Sequence, residues 1–218
     1  MNAPAVGLHD AVKSFGREAV LDGVNLNIAE GRFIVLRGGN GTGKTTLLRV
    51  LGTRLRLSSG TGSVFGFDLI RQPGEIRRRV IQVSVAGGSY PMLTAAENLG
   101  FAARLYGVTV DAGAVLERVG LAQVGGKLVR TFSSGMKKRL ALARLLLPGA
   151  RMWLLDEPYT TLDEDGRELV DALLNEARQR GLTVIMATHG DARPGAPQPD
   201  AVLQLDGGAL SVLQRRES

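Results

Sequence analysis

The sequence predicts an α/β fold in which a parallel sheet is interrupted by a helical insertion. Three observations predict it. A strand-length apolar run, residues 33–36, ends at a glycine-rich loop and is followed by Leu47, Leu48 and Leu51 at helical spacing. A strand–helix–strand succession occupies residues 152–187, an order that calls for parallel strands joined by a right-handed crossover. Between them, residues 85–147 carry helical spacing and helix-start residues.

The elements follow in order. Apolar segments at 11–15, 20–28 and 33–37, broken by Gly16, Gly23 and Gly31, predict short strands and turns. Thr94 and Glu97 form a capping-box pattern, and Ala102, Leu105 and Tyr106 continue that helix. Asp111 opens a short helix through Leu116 and Val119, stopped by Gly120. Ser133 opens a third, with Leu140, Ala143, Arg144 and Leu147 along it, stopped by Pro148-Gly149. Residues 152–155 predict a buried strand, 163–180 an amphipathic helix and 183–187 another strand. Residues 190–200 hold three prolines and predict a surface loop; 202–205 and 210–213 predict a hairpin around Gly207-Gly208.

Composition narrows the class. The 218 residues suffice for one large domain with a real core. A hydrophobic share of 44% with 22% charged residues excludes a disordered chain. The absence of cysteine excludes a disulfide framework and Cys-ligated metals. The first ten residues lack a signal-peptide pattern, and no run of about 18 apolar residues occurs. Another chain would therefore supply any membrane part. The net charge is +6, with basic clusters at Arg54/Arg56, Arg71, 77–79, 137–139 and Arg215/Arg216. Solvated surface is the expectation for these clusters, with anionic lipid ahead of nucleic acid. No aromatic platform or zinc spacing accompanies the charge, so no nucleic-acid partner is expected.

Three motifs carry chemistry. Gly38-Gly39-Asn40-Gly41-Thr42-Gly43-Lys44-Thr45 has the spacing of a phosphate-binding loop between a strand and a helix. Its glycines let backbone N–H groups turn inward on phosphate oxygens, and the following helix, through Thr46, adds its positive end. Lys44 can reach the β- and γ-phosphates of ATP, and the Thr45 hydroxyl can ligate Mg²⁺. Residues 152–155 end in Asp156 and Glu157. Successive strand residues point to opposite sides, so Asp156 can approach the Mg²⁺ while Glu157 turns toward an attacking water. Ser133-Ser134-Gly135 opens a helix, which makes it a second candidate anion site.

These motifs, followed by Thr160-Thr161-Leu162-Asp163 and His189, resemble ATP-binding cassette ATPases over nearly the whole chain. The resemblance implies a P-loop NTPase with ABC ATPase architecture. That means a RecA-like parallel-sheet core at 1–84 and 148–218, an N-terminal antiparallel β subdomain, and an inserted α-helical subdomain at 85–147. It implies that Phe15 stacks on adenine and that His189 contacts the γ-phosphate. It implies that Asp163 carries a signal between two sites, and that Ser133, Ser134 and Gly135 face the nucleotide of a second copy. The expected assembly is a homodimer on a polytopic transmembrane permease, at the cytoplasmic face of the inner membrane. The strings at 132–144 and 153–163 further resemble the haem-exporter ATP-binding subunits of bacterial cytochrome c biogenesis, which implies export of a small molecule.

Three departures stand out. The signature string has Phe132, Ser134 and Met136 where the family has Leu, Gly and Gln. Val85 stands where the family's loop glutamine is expected, with Gln82 three residues earlier. Val85 cannot ligate Mg²⁺, which implies slow but non-zero hydrolysis and leaves open a regulatory module with little turnover. The proline-rich stretch after His189 replaces a family helix, which implies a histidine less firmly held. A non-transport machine of the same fold would tend to carry a coiled-coil insertion or a second cassette, and neither is present.

Overall fold

The computed structural model describes residues 4–84, 88–190 and 193–215. The strands are β1 (Val6–Phe15), β2 (Glu18–Ile28), β3 (Phe33–Arg37), β4 (Ser59–Val64), β5 (Phe67–Asp68), β6 (Val80–Val83), β7 (Met152–Asp156), β8 (Thr183–Ala187), β9 (Ala201–Asp206) and β10 (Ala209–Arg215). The helices are α1 (Lys44–Leu51), α2 (Pro73–Arg77), α3 (Ala95–Tyr106), α4 (Ala112–Arg118), α5 (Ser134–Ala143) and α6 (Glu164–Gln179).

Two sheets organise the chain. An antiparallel sheet has the order β2-β1-β4-β5, and a six-stranded sheet has the order β10-β9-β3-β8-β7-β6. Within the second, β9, β3, β8, β7 and β6 are parallel and β10 returns antiparallel. Its inner strands β3, β7 and β8 are buried on both faces, so they read as continuous apolar runs rather than alternating ones. Alternate residues feed two cores. Ile34, Leu36, Met152, Leu154 and Ile185 pack with Leu47, Leu48 and Leu51 of α1 and with the antiparallel sheet. Phe33, Val35, Trp153, Leu155, Val184 and Met186 pack with Val170, Leu173, Leu174 and Ala177 of α6. A third cluster, with Leu99, Leu116, Phe132 and Leu140, lies among α3, α4 and α5.

The predicted caps form. Thr94 Oγ1 accepts from the Glu97 N–H at 3.2 Å, and Glu97 Oε2 accepts from the Thr94 N–H at 2.8 Å. The bond from the Thr94 N–H, with a second from the Thr94 hydroxyl at 2.9 Å, holds the Glu97 carboxyl below its usual range. Thr94→Ala is expected to lower stability by about 1 kcal/mol, read as a shift of the urea midpoint, with nucleotide affinity unchanged.

The structure also corrects the sequence reading. The stretch over 85–147 is less helical than expected: among the described residues only α3, α4 and α5 are α-helical there, with single 3₁₀ turns at 122–124, 129–131 and 144–146. Gly107 and Gly120, at φ 69° and 72°, end α3 and α4 in the left-handed region. β4, β5 and α2 were not foreseen. The sequence of β4, SGTGSV, carries the glycine and serine of a turn, and it becomes a strand because β1 pairs with it. The loop after His189 lies along α6, where Asn175 Nδ2 donates to Gly195 O at 3.2 Å and Arg193 pairs with Asp171 and Glu164. Asp191, Ala192 and Arg216 lie outside the described residues.

Candidate active site

Three parallel strands end side by side. β8 lies between β3 and β7, and both Leu36 and Asp156 register on Ala187. In open α/β sheets, ligands sit beyond the carboxyl ends of the strands. Here β3 delivers the glycine loop, β7 the two carboxylates and β8 the histidine.

The loop needs its glycines. Gly43 has φ 103°, and an added Cβ would sit 2.8 Å from Val20 O. A Cβ on Gly38 would sit 2.4 Å from Leu205 O. The chain therefore turns tightly over β2 and β9, leaving a cleft of about 290 Å³ lined by residues 40–46, Val20, Asp156 and Glu157. The wall made by Val20 was invisible in the sequence, because only sheet packing brings β2 against the loop. Thr42 Oγ1 donates to Gly39 O at 3.0 Å. Lys44 Nζ donates to Gly38 O and Gly39 O, both at 2.7 Å. An ammonium has three donors, so one remains for a phosphate oxygen.

The strand alternation expected for the carboxylates does not extend to Glu157, because β7 ends at Asp156. Asp156 shares the α1 face with Met152 and Leu154, and Thr45 Oγ1 donates to its Oδ2 at 2.8 Å. Glu157 leaves the strand with φ 49°, its N–H bonded to Ala187 O at 3.0 Å. Its Oε1 lies 2.9 Å from His189 Nδ1. The histidine thus meets a carboxylate despite the proline-rich stretch that follows it.

Other predicted residues lie apart from this cleft. Phe15 ends β1 at 50% exposure, with Lys13 Nζ 5.0 Å from its ring centroid. Ser133 caps α5 by accepting from the Met136 N–H at 3.2 Å, with Ser134 next in the helix. Gly135 faces Thr161, a Cβ there lying 3.6 Å from Thr161 O. Asp163 caps α6 through the Gly166 N–H at 2.9 Å and pairs with Arg139 at 2.8 Å, which holds its carboxyl below the usual range. Val85 lies outside the described residues. Gln82 is buried within β6, opposite Leu154 and against Gly52, and does not line the cleft. One residue overturns the sequence reading: Lys138, placed in a solvated basic run, is buried and donates from Nζ to Glu157 O at 2.8 Å.

The oxygen ligands suit magnesium. A hydroxyl and a carboxylate meet at the lip of the phosphate loop, and hard oxygen donors are what Mg²⁺ takes. No group of three or more His, Cys, Asp or Glu gathers to hold a metal among the described residues. An ion here would therefore share its coordination with phosphates.

The profile of the ABC transporter family matches residues 21–160. The chain belongs to the ABC transporter family. It is 38% identical over 193 residues to the cytochrome c biogenesis ATP-binding export protein CcmA 2 of Cupriavidus metallidurans, covering 87% of this chain and 90% of that one. It is 36% identical to the bacitracin transport ATP-binding protein BcrA of Bacillus licheniformis, covering 83% of this chain and 60% of the relative. Among solved structures it superposes with a TM-score of 0.84 on a dimeric, post-hydrolysis state of the ATP-binding cassette MJ0796 bound to ADP and Pi. That match is 26% identical and covers 96% of this chain and 99% of the other. The protein is thus an ATP-binding, ATP-hydrolysing ABC subunit with the ABC ATPase fold. Among the described residues, no helix of this ABC subunit is long and apolar enough to cross a membrane.

Proposed function

We propose that this chain powers export of a small molecule, haem for cytochrome c biogenesis, as the ATPase subunit of a membrane transporter. The observation that carries the chemistry is the joining of Thr45 to Asp156 beside Lys44, with Glu157 and His189 paired next to them. The relatives named for cytochrome c biogenesis support the choice of haem.

The nucleotide's phosphates lie against the amides of residues 38–46 and the free donor of Lys44, with adenine on Phe15. Thr45 and Asp156 would hold Mg²⁺, which would supply neutralisation of the phosphates' charge. Glu157 accepts the proton of the attacking water, and His189 steadies the carboxylate and meets the γ-phosphate. Ser133, Ser134 and Gly135 of a second copy close the site from outside. Each chain carries one phosphate loop and one signature string, so two chains form two equal sites by symmetry. Hydrolysis removes the γ-phosphate that bridges the copies, and their separation moves a polytopic permease at the cytoplasmic face of the inner membrane.

Recovery of the tagged chain from solubilised membranes tests this reading. A polytopic membrane protein is expected to co-purify, and haem is expected to raise the ATPase rate of the complex. Recovery without any such partner, or a rate indifferent to haem, overturns the transporter or the haem assignment respectively.

A further inference from the structure

Lys138 stands out because it is charged, buried and unused by the mechanism above. It is 3% exposed although it sits on a helix in a run of three basic residues. A lysine with a free path to water keeps its ammonium there. Burial pushes this ammonium down to about 8, against the pull of the Asp156 and Glu157 carboxylates. What it gains is the carbonyl of Glu157, at 2.8 Å.

That carbonyl belongs to a residue in a disfavoured conformation. Glu157 has φ 49°, in the left-handed region that a side-chain-bearing residue avoids. Its main chain is held at both ends. The N–H donates to Ala187 O at 3.0 Å, and the carbonyl accepts from Lys138 and, at 3.3 Å, from the Thr160 N–H. So pinned, the carboxylate meets His189.

The helix that supplies Lys138 is the one capped by Ser133. Lys138 lies five helical steps beyond Ser133, about 7.5 Å of rise. The next residue, Arg139, pairs with Asp163 at 2.8 Å. One short helix therefore carries both the signature string and the bond that fixes the turn at Glu157.

We propose that Lys138 is a positioning residue, which holds the main chain of Glu157 in its left-handed turn and so links closure of α5 on one nucleotide to alignment of the carboxylate at the other. This rests on the reading of Glu157 as the group that accepts the water's proton. The bond to a carbonyl requires a donor of the right reach and does not require a positive charge.

The test uses the full chain, with steady-state Mg-ATP hydrolysis, nucleotide binding and thermal melting measured together. Lys138→Met removes the donor at similar volume and is expected to lower kcat by about 10–100-fold, the scale of a small misalignment, with nucleotide affinity unchanged. Lys138→Gln, a neutral donor, and Lys138→Arg, a charged one, are expected to restore most of the rate. In a Glu157→Ala background, Lys138→Met is expected to remove nothing further, because it acts through that residue. A wild-type rate in Lys138→Met overturns the proposal, and so does an additive loss in the double variant. If Lys138→Met does not fold, a folded but inactive Lys138→Gln overturns it as well. A wild-type rate in Glu157→Ala alone would instead sink the reading of Glu157, whatever Lys138 does.

Discussion

Glu157→Gln is expected to lower hydrolysis by about 10²–10⁴-fold, the range for loss of a positioned general base. Nucleotide affinity should hardly move. The amide keeps the shape of the carboxylate and an oxygen that can face His189 Nδ1, now 2.9 Å from Glu157 Oε1. The main-chain bonds of Glu157 to Ala187 and Lys138 do not involve the side chain. Lys44, Thr45 and Asp156 are untouched. The variant should therefore bind ATP, close, and remain closed. Single-turnover phosphate release and light scattering on a sizing column in excess Mg-ATP read both outcomes. A persistent monomer, or phosphate released at the wild-type rate, would count against Glu157 as the base and against the nucleotide-bridged dimer.

Lys44→Ala is expected to weaken Mg-ATP binding by about 100-fold, since a hydrogen bond to a charged group contributes about 1.5–3 kcal/mol and 1.4 kcal/mol is tenfold. Two effects act in the same direction. The third ammonium donor, the one aimed at phosphate, is lost. The bonds to Gly38 O and Gly39 O that draw the loop shut are lost with it. Alanine is a strong helix former, so the first turn of α1 should survive and the thermal midpoint should change little. Calorimetry with Mg-ATP, paired with a thermal melt, separates the two quantities. Unaltered affinity in a folded variant would remove the loop from the binding site.

Much of the site was legible in the sequence because its parts are short and local. The loop from Gly38 to Thr45 needs only consecutive backbone amides and a following helix, and both are encoded within a few residues. Asp156 and Glu157 were legible as two carboxylates closing an apolar run, whereas the direction of Glu157 is set by a left-handed turn beyond β7 that strand periodicity does not foretell. The Thr94 and Ser133 caps follow from spacings of three. The same locality explains β3 and β8, whose apolar runs matched the observed bounds, Phe33–Arg37 and Thr183–Ala187. β4 failed the same reading because its residues acquire a strand's conformation only from the partner that pairs with them.

The sequence by itself thus pointed to the fold class, the phosphate loop and the carboxylate pair through contiguous segments, and to His189 through the family resemblance. Only the tertiary structure decided which segments became neighbours. It set β8 between β3 and β7, so that loop, carboxylates and histidine converge. It brought Val20 against Gly43, buried Gln82 away from the cleft, and turned Lys138 from an expected surface charge into a ligand of the Glu157 carbonyl. The reason is physical: a side chain's periodicity reports which face of its own element it occupies, while what covers that face depends on strand order and helix packing between residues far apart in the chain.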